Sequence, residues 1–218
     1  EYYCAEVVNL ETRALRMVKD NLKEIAAGEE DACEKLMYAL VLSGLAMQMT
    51  GNSRPASGAE HHLVHLWDME VVNGHLDALH GEKVSAGTML VLLEYKKIAD
   101  AIRKGNCKVH TCTEEDRELL QSTFGKKGIL GAIEKENTPE LLDDVSTKEL
   151  SDTLPGILKI IDALPAVTDM QEMMNTAGCV SRVRDIGLPG EVIEESLRLA
   201  PYTRRRLSLL RLRKMLTY

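Results

Sequence analysis

The chain has 218 residues, a mass of 24.2 kDa and a formal net charge of −7, from 27 Lys and Arg against 34 Asp and Glu, which is room for one large domain or two small ones with a proper core. The acidic balance makes it a poor general binder of nucleic acid, no apolar run approaches the roughly 20 residues that span a bilayer, and no basic stretch followed by an apolar one opens the sequence as a secretory signal would. With 44% hydrophobic and 28% charged residues but only 4% aromatic, it reads as a folded protein that favours helix over strand.

Helix signals run along the whole chain. From Glu6 to Ala27 the apolar positions Val7, Leu10, Ala14, Leu15, Val18, Leu22 and Ile25 recur at three- and four-residue spacing, and Gly28 stands where a glycine closes a helix. The next run, Glu29 to Met49, is almost wholly apolar from Leu36 onward, which predicts a helix at the centre of a bundle. A loop rich in Gly, Ser and Pro, Gly51 to Gly58, leads to a third helix from Ala59 to about Val72, and a fourth runs from Gly81 to Lys104. In the second half, Thr113-Glu114-Glu115-Asp116 reads as a helix start with acids in its first turn, and Thr138-Pro139-Glu140 puts Pro at a first helical position. Further helices are predicted over Ser146–Ala163, from Thr168-Asp169 to a stop at Gly178, from Pro189-Gly190-Glu191 to Leu199, and over Thr203–Leu216. No sustained period-two alternation marks a strand. Only the loop from Asn106 to Cys112 has room for one short extended segment. The fold class expected is all-α, a bundle of about ten helices.

The five cysteines, Cys4, Cys33, Cys107, Cys112 and Cys179, are odd in number and irregular in spacing. In a chain too large to need disulfide staples this points to a reducing, cytoplasmic compartment. The chain opens Glu1-Tyr2-Tyr3-Cys4 without a Met; a processed end, a trimmed tag and a fragment are all open at this point.

Three of the six histidines fall within Glu60-His61-His62-Leu63-Val64-His65. His61 and His65 are four apart, so on a helix they share a face, while His62 points about 100° away. Such a pair suits a metal, or a metal ligand beside a substrate contact. The competing reading is a polar helix face with no ligand. His80 precedes Gly81-Glu82-Lys83-Val84, and its glycine lets a neighbour approach the backbone; a solvated histidine at a helix start is the alternative. Together the two elements can bring two imidazoles to one metal, although a catalytic zinc needs about three protein ligands and an open position. Cys107-Lys108-Val109-His110-Thr111-Cys112 gathers three soft ligands in six residues, but the spacing is not that of a zinc half-site, and it reads as a coincidence in a loop. The basic run Thr203-Arg204-Arg205-Arg206 through Arg211, Arg213 and Lys214 could face a phosphate or an anionic surface. It reads first as the solvated face of a terminal amphipathic helix whose cations complement its dipole.

Ser53-Arg54-Pro55-Ala56-Ser57-Gly58-Ala59-Glu60-His61, then His65, then Leu79-His80-Gly81-Glu82-Lys83-Val84-Ser85-Ala86-Gly87-Thr88 resembles the glycerol-1-phosphate dehydrogenases. These belong to the iron-containing alcohol dehydrogenase and dehydroquinate synthase-like superfamily. The likeness is greatest to the bacterial branch and runs through most of the chain, although beyond Gly105 it rests on helical pattern alone. The first string is specific; the element around His80 is shared with glycerol dehydrogenases. The resemblance implies a two-domain enzyme in which an N-terminal domain of Rossmann type binds NAD(P) and an all-α C-terminal domain carries most of the metal site. This chain, residues 1–218, resembles the second domain only, as a single helical unit. No Gly-rich strand-turn-helix element occurs in it.

By the resemblance, one Asp and two His hold the metal, and the Asp lies in a Gly-Asp element absent from this chain. His61 resembles the first histidine ligand and His80 the second, and His65 stands where the family contacts substrate. A shifted register would make His62 the first ligand. Ser53 and Arg54, on the loop before the ligand helix, are expected to contact the substrate phosphate, since Arg and loop amides suit a phosphate; in the alternative, Arg54 only orders the loop. The implied reaction converts glycerol 1-phosphate to dihydroxyacetone phosphate with NAD(P) and one divalent metal, Zn²⁺ or Ni²⁺, both of which imidazole and carboxylate serve. The implied protein is a cytoplasmic homo-oligomer, without a membrane or nucleic-acid partner, and this chain alone is expected to be inactive. Two rivals stand beside this reading: half of a glycerol dehydrogenase or dehydroquinate synthase-like enzyme, and a stand-alone helical module that binds a partner without catalysis.

Overall fold

The computed structural model describes residues 3–112 and 116–218. In chain order its elements are α1 (Ala5–Asp20), α2 (Leu22–Ala27), α3 (Glu30–Thr50), α4 (Ala59–Asp68), α5 (His80–Arg103), β1 (Lys108–Val109), α6 (Arg117–Phe124), α7 (Leu130–Glu136), α8 (Thr147–Asp162), α9 (Val167–Thr176), α10 (Ile193–Leu199), α11 (Leu209–Leu212) and β2 (Leu216–Thr217), with 3-10 turns at Leu141–Asp144, Val183–Ile186, Gly190–Val192, Ala200–Thr203 and Arg213–Met215. The fold is all-α, as the composition and the helical period predict. The helix start read at Thr113-Glu114-Glu115 lies outside the described residues. Two compact units emerge, one comprising Glu1–Gly58 with Thr168–Val180, the other Ala59–Val167 with Ser181–Tyr218.

In the first unit α1 and α3 pack on each other through Leu10, Ala14, Met17, Val18, Ala39 and Leu42. The helix predicted to run unbroken to Ala27 stops at Asn21, whose side-chain amide donates to the Met17 carbonyl at 2.8 Å and so takes over the helix's own hydrogen bond. Gly28 then closes α2 at φ 75°, a left-handed conformation that glycine adopts without strain. The prediction that α3 lies at a bundle centre is corrected. Its small residues Ala32, Ala39 and Ala46, with Leu42, are buried, whereas Met37, Leu40, Val41, Leu45 and Met49 are exposed. Alanines let a neighbour approach one side closely; the apolar residues on the other side face outward.

The second unit is built on α5. Ile98 and Ala99 of this helix join Leu142, Leu150, Leu154, Ile161, Met215 and Leu216 in one core, while its N-terminal half packs on α4. Trp67 of α4 is buried and donates from Nε1 to the buried Ser196 hydroxyl of α10 at 3.0 Å. Ser146 caps α8, accepting from the Glu149 amide. Pro139 does not open a helix: Glu140 is the cap of the 3-10 turn that follows it. The loop after α5 does contain an extended segment, β1, which pairs antiparallel with β2 in the register Lys108 to Thr217 and Val109 to Leu216.

The terminal segment departs most from expectation. Thr203–Leu216 is not one amphipathic helix. It leaves a 3-10 turn in extended conformation at Arg204, forms the short α11, and ends in β2. Nor are all its cations a solvated face. Arg211 is completely buried, donating to Glu140 at 2.7 Å, to Asn137 Oδ1 at 2.5 Å, and to the carbonyls of Pro201 and Arg204. Arg213 pairs with the buried Glu94 at 2.7 Å and with Glu194 at 2.6 Å. Helical period records where apolar residues recur, but it carries no sign of a buried arginine that finds four oxygens across the chain.

Candidate functional site

The second unit brings together three of the histidines picked out in the sequence. α4 begins at Ala59 and presents His61 and His65 on one face. His80 is the first residue of α5, and Leu79 just before it donates its backbone amide to Glu82 Oε2 at 2.7 Å, which fixes where that helix starts. The rings of His61 and His80 stand 5.6 Å apart between centroids, at 52° to one another. Two imidazoles on one tetrahedral ion would stand about 5 Å apart, close to the separation of this pair.

Two contacts hold α4 and α5 in this relation. Gly87 lies where α4 crosses: a Cβ there would come 3.2 Å from the Glu60 carbonyl oxygen and 3.6 Å from Glu60 Cβ. The glycine is what lets the residue beside His61 approach α5. At the other end, Lys83 in the first turn of α5 pairs with Asp68 at the end of α4, at 2.8 Å. Glu60 also fixes the ring of its neighbour, with its Oε1 2.8 Å from His61 Nδ1. When Nδ1 carries the proton and donates to that carboxylate, Nε2 is left bare as a metal ligand, the carboxylate–histidine pairing that orients metal-bound imidazoles.

His62 turns the other way. It is 1% exposed, and neither ring nitrogen has a hydrogen-bond partner. Burial first, then the Arg206 guanidinium, pushes its pKa down to about 4, so near neutral pH it is an uncharged ring in the protein interior. The ring beside His80 is thus that of His61, not His62. His65 is half-buried; burial, then the Arg204 guanidinium, then His61 hold its imidazole below the usual histidine range, against the pull of Asp68. A lowered pKa favours the neutral imidazole, in which one ring nitrogen keeps its proton and the other can accept one.

Among the described residues no group of three or more His, Cys, Asp and Glu side chains is close enough to hold a metal ion, so His61 and His80 stand as a pair and not as a complete ligand set. Cys107 and Cys112 pack against the core of the second unit, and His110 bonds the neighbouring Thr111 carbonyl. Ser53 and Arg54 belong to the loop that ends the first unit, where the Arg54 amide donates to Asn52 Oδ1 at 2.9 Å. Sequence reasoning missed Glu60, Gly87 and Lys83, which hold His61 beside His80. Glu60 next to His61 and Gly87 seven residues beyond His80 were visible signals, but only the crossing of two helices gives them meaning.

The second unit thus sets the His61 and His80 rings side by side, with His65 on the same face of α4 as His61. The chain is 33% identical over 211 residues to a glycerol-1-phosphate dehydrogenase [NAD(P)+] of Halalkalibacterium halodurans, which covers 96% of this chain and 45% of the relative. Against the protein of the same name from Geobacillus stearothermophilus it is 29% identical, over 92% of this chain and 43% of the relative. Against that of Pyrococcus horikoshii it is 36% identical over 107 residues, 47% of this chain and 30% of the relative. The chain is similar to these glycerol-1-phosphate dehydrogenases over nearly all of its own length, and it spans under half the length of the curated relatives it matches. No protein-family model matches it.

Proposed function

We propose that this chain supplies the helical, metal- and substrate-binding part of an NAD(P)-dependent sn-glycerol-1-phosphate dehydrogenase, with the nicotinamide site provided by sequence outside it. The observation that carries the reading is the His61–His80 pair at 5.6 Å, with His61 held by Glu60, in a chain homologous to enzymes of that name. His61 and His80 would hold one Zn²⁺ or Ni²⁺, the third ligand being an Asp outside this chain. When bound, the metal would supply positive charge to stabilise the developing alkoxide, and NAD(P) would supply the hydride acceptor. The chain's own residues do the rest. Glu60 keeps His61 Nδ1 protonated and its ring oriented, and Gly87 keeps the two helices close enough for both rings to face one point. His65, unprotonated near neutral pH, orients the C2 hydroxyl and accepts its proton. Ser53 and Arg54 are assigned to the substrate phosphate in the same proposal. The assembly is a homo-oligomer of the cytoplasm, without a membrane or nucleic-acid partner, and the chain by itself is inactive. Five cysteines that form no disulfide suit that compartment, and no helix among the described residues is long and apolar enough to cross a membrane.

The test is oxidation of sn-glycerol 1-phosphate, beside glycerol, by the protein that joins this chain to a nicotinamide-binding domain, with NAD⁺ or NADP⁺ and with Zn²⁺ or Ni²⁺. Turnover of the phosphate ester that His61→Ala and His80→Ala each abolish is the expected result. Preference for glycerol would move the chain to the glycerol dehydrogenases, and turnover indifferent to both histidines would reject the site.

A further inference from the structure

The basic segment that follows α10 has a member the ion pairs of the fold leave uncommitted. Arg198 pairs with Asp116, Arg211 with Glu140, and Arg213 with Glu94 and Glu194. Arg204 forms no ion pair among the described residues; its Nη1 donates to the carbonyl of Thr203 at 3.2 Å. Its backbone, by contrast, is fixed on both sides. The Ala200–Thr203 turn packs on α4, and the buried Thr203 hydroxyl bonds the His62 carbonyl at 3.2 Å and the Ala200 carbonyl at 2.8 Å. The Arg204 carbonyl accepts from the buried Arg211 guanidinium at 3.2 Å and from the Arg206 amide at 2.9 Å.

The segment is therefore pinned to the helix of the histidines one residue before Arg204, and the chain leaves that pin extended, at φ −147° and ψ 133°. Thr203, the last residue of the 3-10 turn, is held against α4 by its hydroxyl, and Arg204, the first extended residue after it, is exposed, its guanidinium lowering the pKa of the His65 imidazole of that helix. A guanidinium on a fixed base, with most of its donors uncommitted and no carboxylate partner among the described residues, is built to receive an anion. Its planar fork matches the oxygens of a phosphate two at a time.

We propose that Arg204 is the phosphate-binding, specificity-determining residue of the His61–His65–His80 site, taking the phosphate of a small polyol phosphate ester whose hydroxyl lies at the histidines. The inference rests on the function proposed above and adds a cation from this unit to the assignment of Ser53 and Arg54. The ligand class it names is a phosphomonoester, and a neutral polyol should gain nothing from Arg204.

The test titrates the 218-residue chain with sn-glycerol 1-phosphate, glycerol and inorganic phosphate, with and without Zn²⁺. NMR signals of the histidine rings and the arginine Nε–Hε groups are followed in the wild type, Arg204→Gln, Arg204→Lys and Arg205→Gln. Arg205, which donates to the Pro139 carbonyl, serves as the neighbouring control. Arg204→Gln is expected to weaken glycerol 1-phosphate binding at least tenfold while the responses to glycerol and Zn²⁺ stay as in the wild type. Arg204→Lys should recover part of the loss, and Arg205→Gln should match the wild type. Equal binding of the phosphate ester by wild type and Arg204→Gln, or a wild type that does not prefer the ester to glycerol, would overturn the inference. Arg204-dependent binding of the ester without any Zn²⁺ response at His61 and His80 would support the phosphate subsite and reject the metal reading.

Discussion

Glu60 and His62 flank the same histidine and do opposite things. Glu60 spends its carboxylate on His61 Nδ1, so Glu60→Gln, which keeps the shape and removes the charge, should weaken Zn²⁺ binding about 10- to 100-fold, read by isothermal titration, with little change in the unfolding midpoint. His62 is buried with both nitrogens unpartnered and its pKa near 4, against the 6.5 of an unfolded chain. The folded state refuses a proton that the unfolded state accepts. This residue therefore costs nothing above pH 6.5, and stability falls as pH drops from 6.5 to about 4, by on the order of 3 kcal/mol in all. Urea midpoints measured across that window should decline in the wild type and decline less in His62→Phe. Parallel curves would show that His62 is not the group responsible. At this scale the sequence was informative where a motif is local. His61, His65 and His80 stand out by spacing and by the strings around them, whereas the burial of His62 depends on what packs over the far side of α4.

Elements were legible where period and punctuation decide them, and misread where a distant partner does. α5 and α8 fall within a residue or two of their predicted limits because capping groups such as Glu82 and Ser146 are written next to them. α3 and the terminal segment were misread for related reasons. An apolar sequence says nothing of which face finds a neighbour, and a run of arginines says nothing of buried acceptors. Two predictions belong here. Ala39 is buried at 3% while Leu40 is 58% exposed, so Ala39→Leu should overpack the α1–α3 contact and cost about 1–3 kcal/mol, whereas Leu40→Gln should change stability by no more than about 0.5 kcal/mol. Chemical denaturation of the two variants checks the contrast, which reverses if α3 is turned the other way. Arg211→Met would leave Glu140 and Asn137 without the guanidinium that bonds them and should cost about 3–5 kcal/mol; a loss below 1 kcal/mol would show that the buried network does not hold the terminal segment in place.

For the molecule as a whole, composition alone carried the fold class: few aromatics and no period-two alternation leave helix as the way to bury this core. The resemblance is carried by the strings around the three histidines and reads through most of the chain, and the similarity to curated relatives covers nearly the whole of it. What the sequence could not supply is the through-space arrangement that brings His61 beside His80: the Gly87 crossing and the Lys83–Asp68 clamp. The proposed metal site of His61 and His80 is tested most directly by a Zn²⁺ titration of the chain followed by the ¹⁵N signals of its six histidine rings. His61 Nε2 and a nitrogen of His80 are expected to shift together and saturate at one equivalent, while His62 and His110 stay still, and His61→Ala is expected to remove the response at His80. Independent shifts of His61 and His80, or a first response at His110 with Cys107 and Cys112, would contradict it.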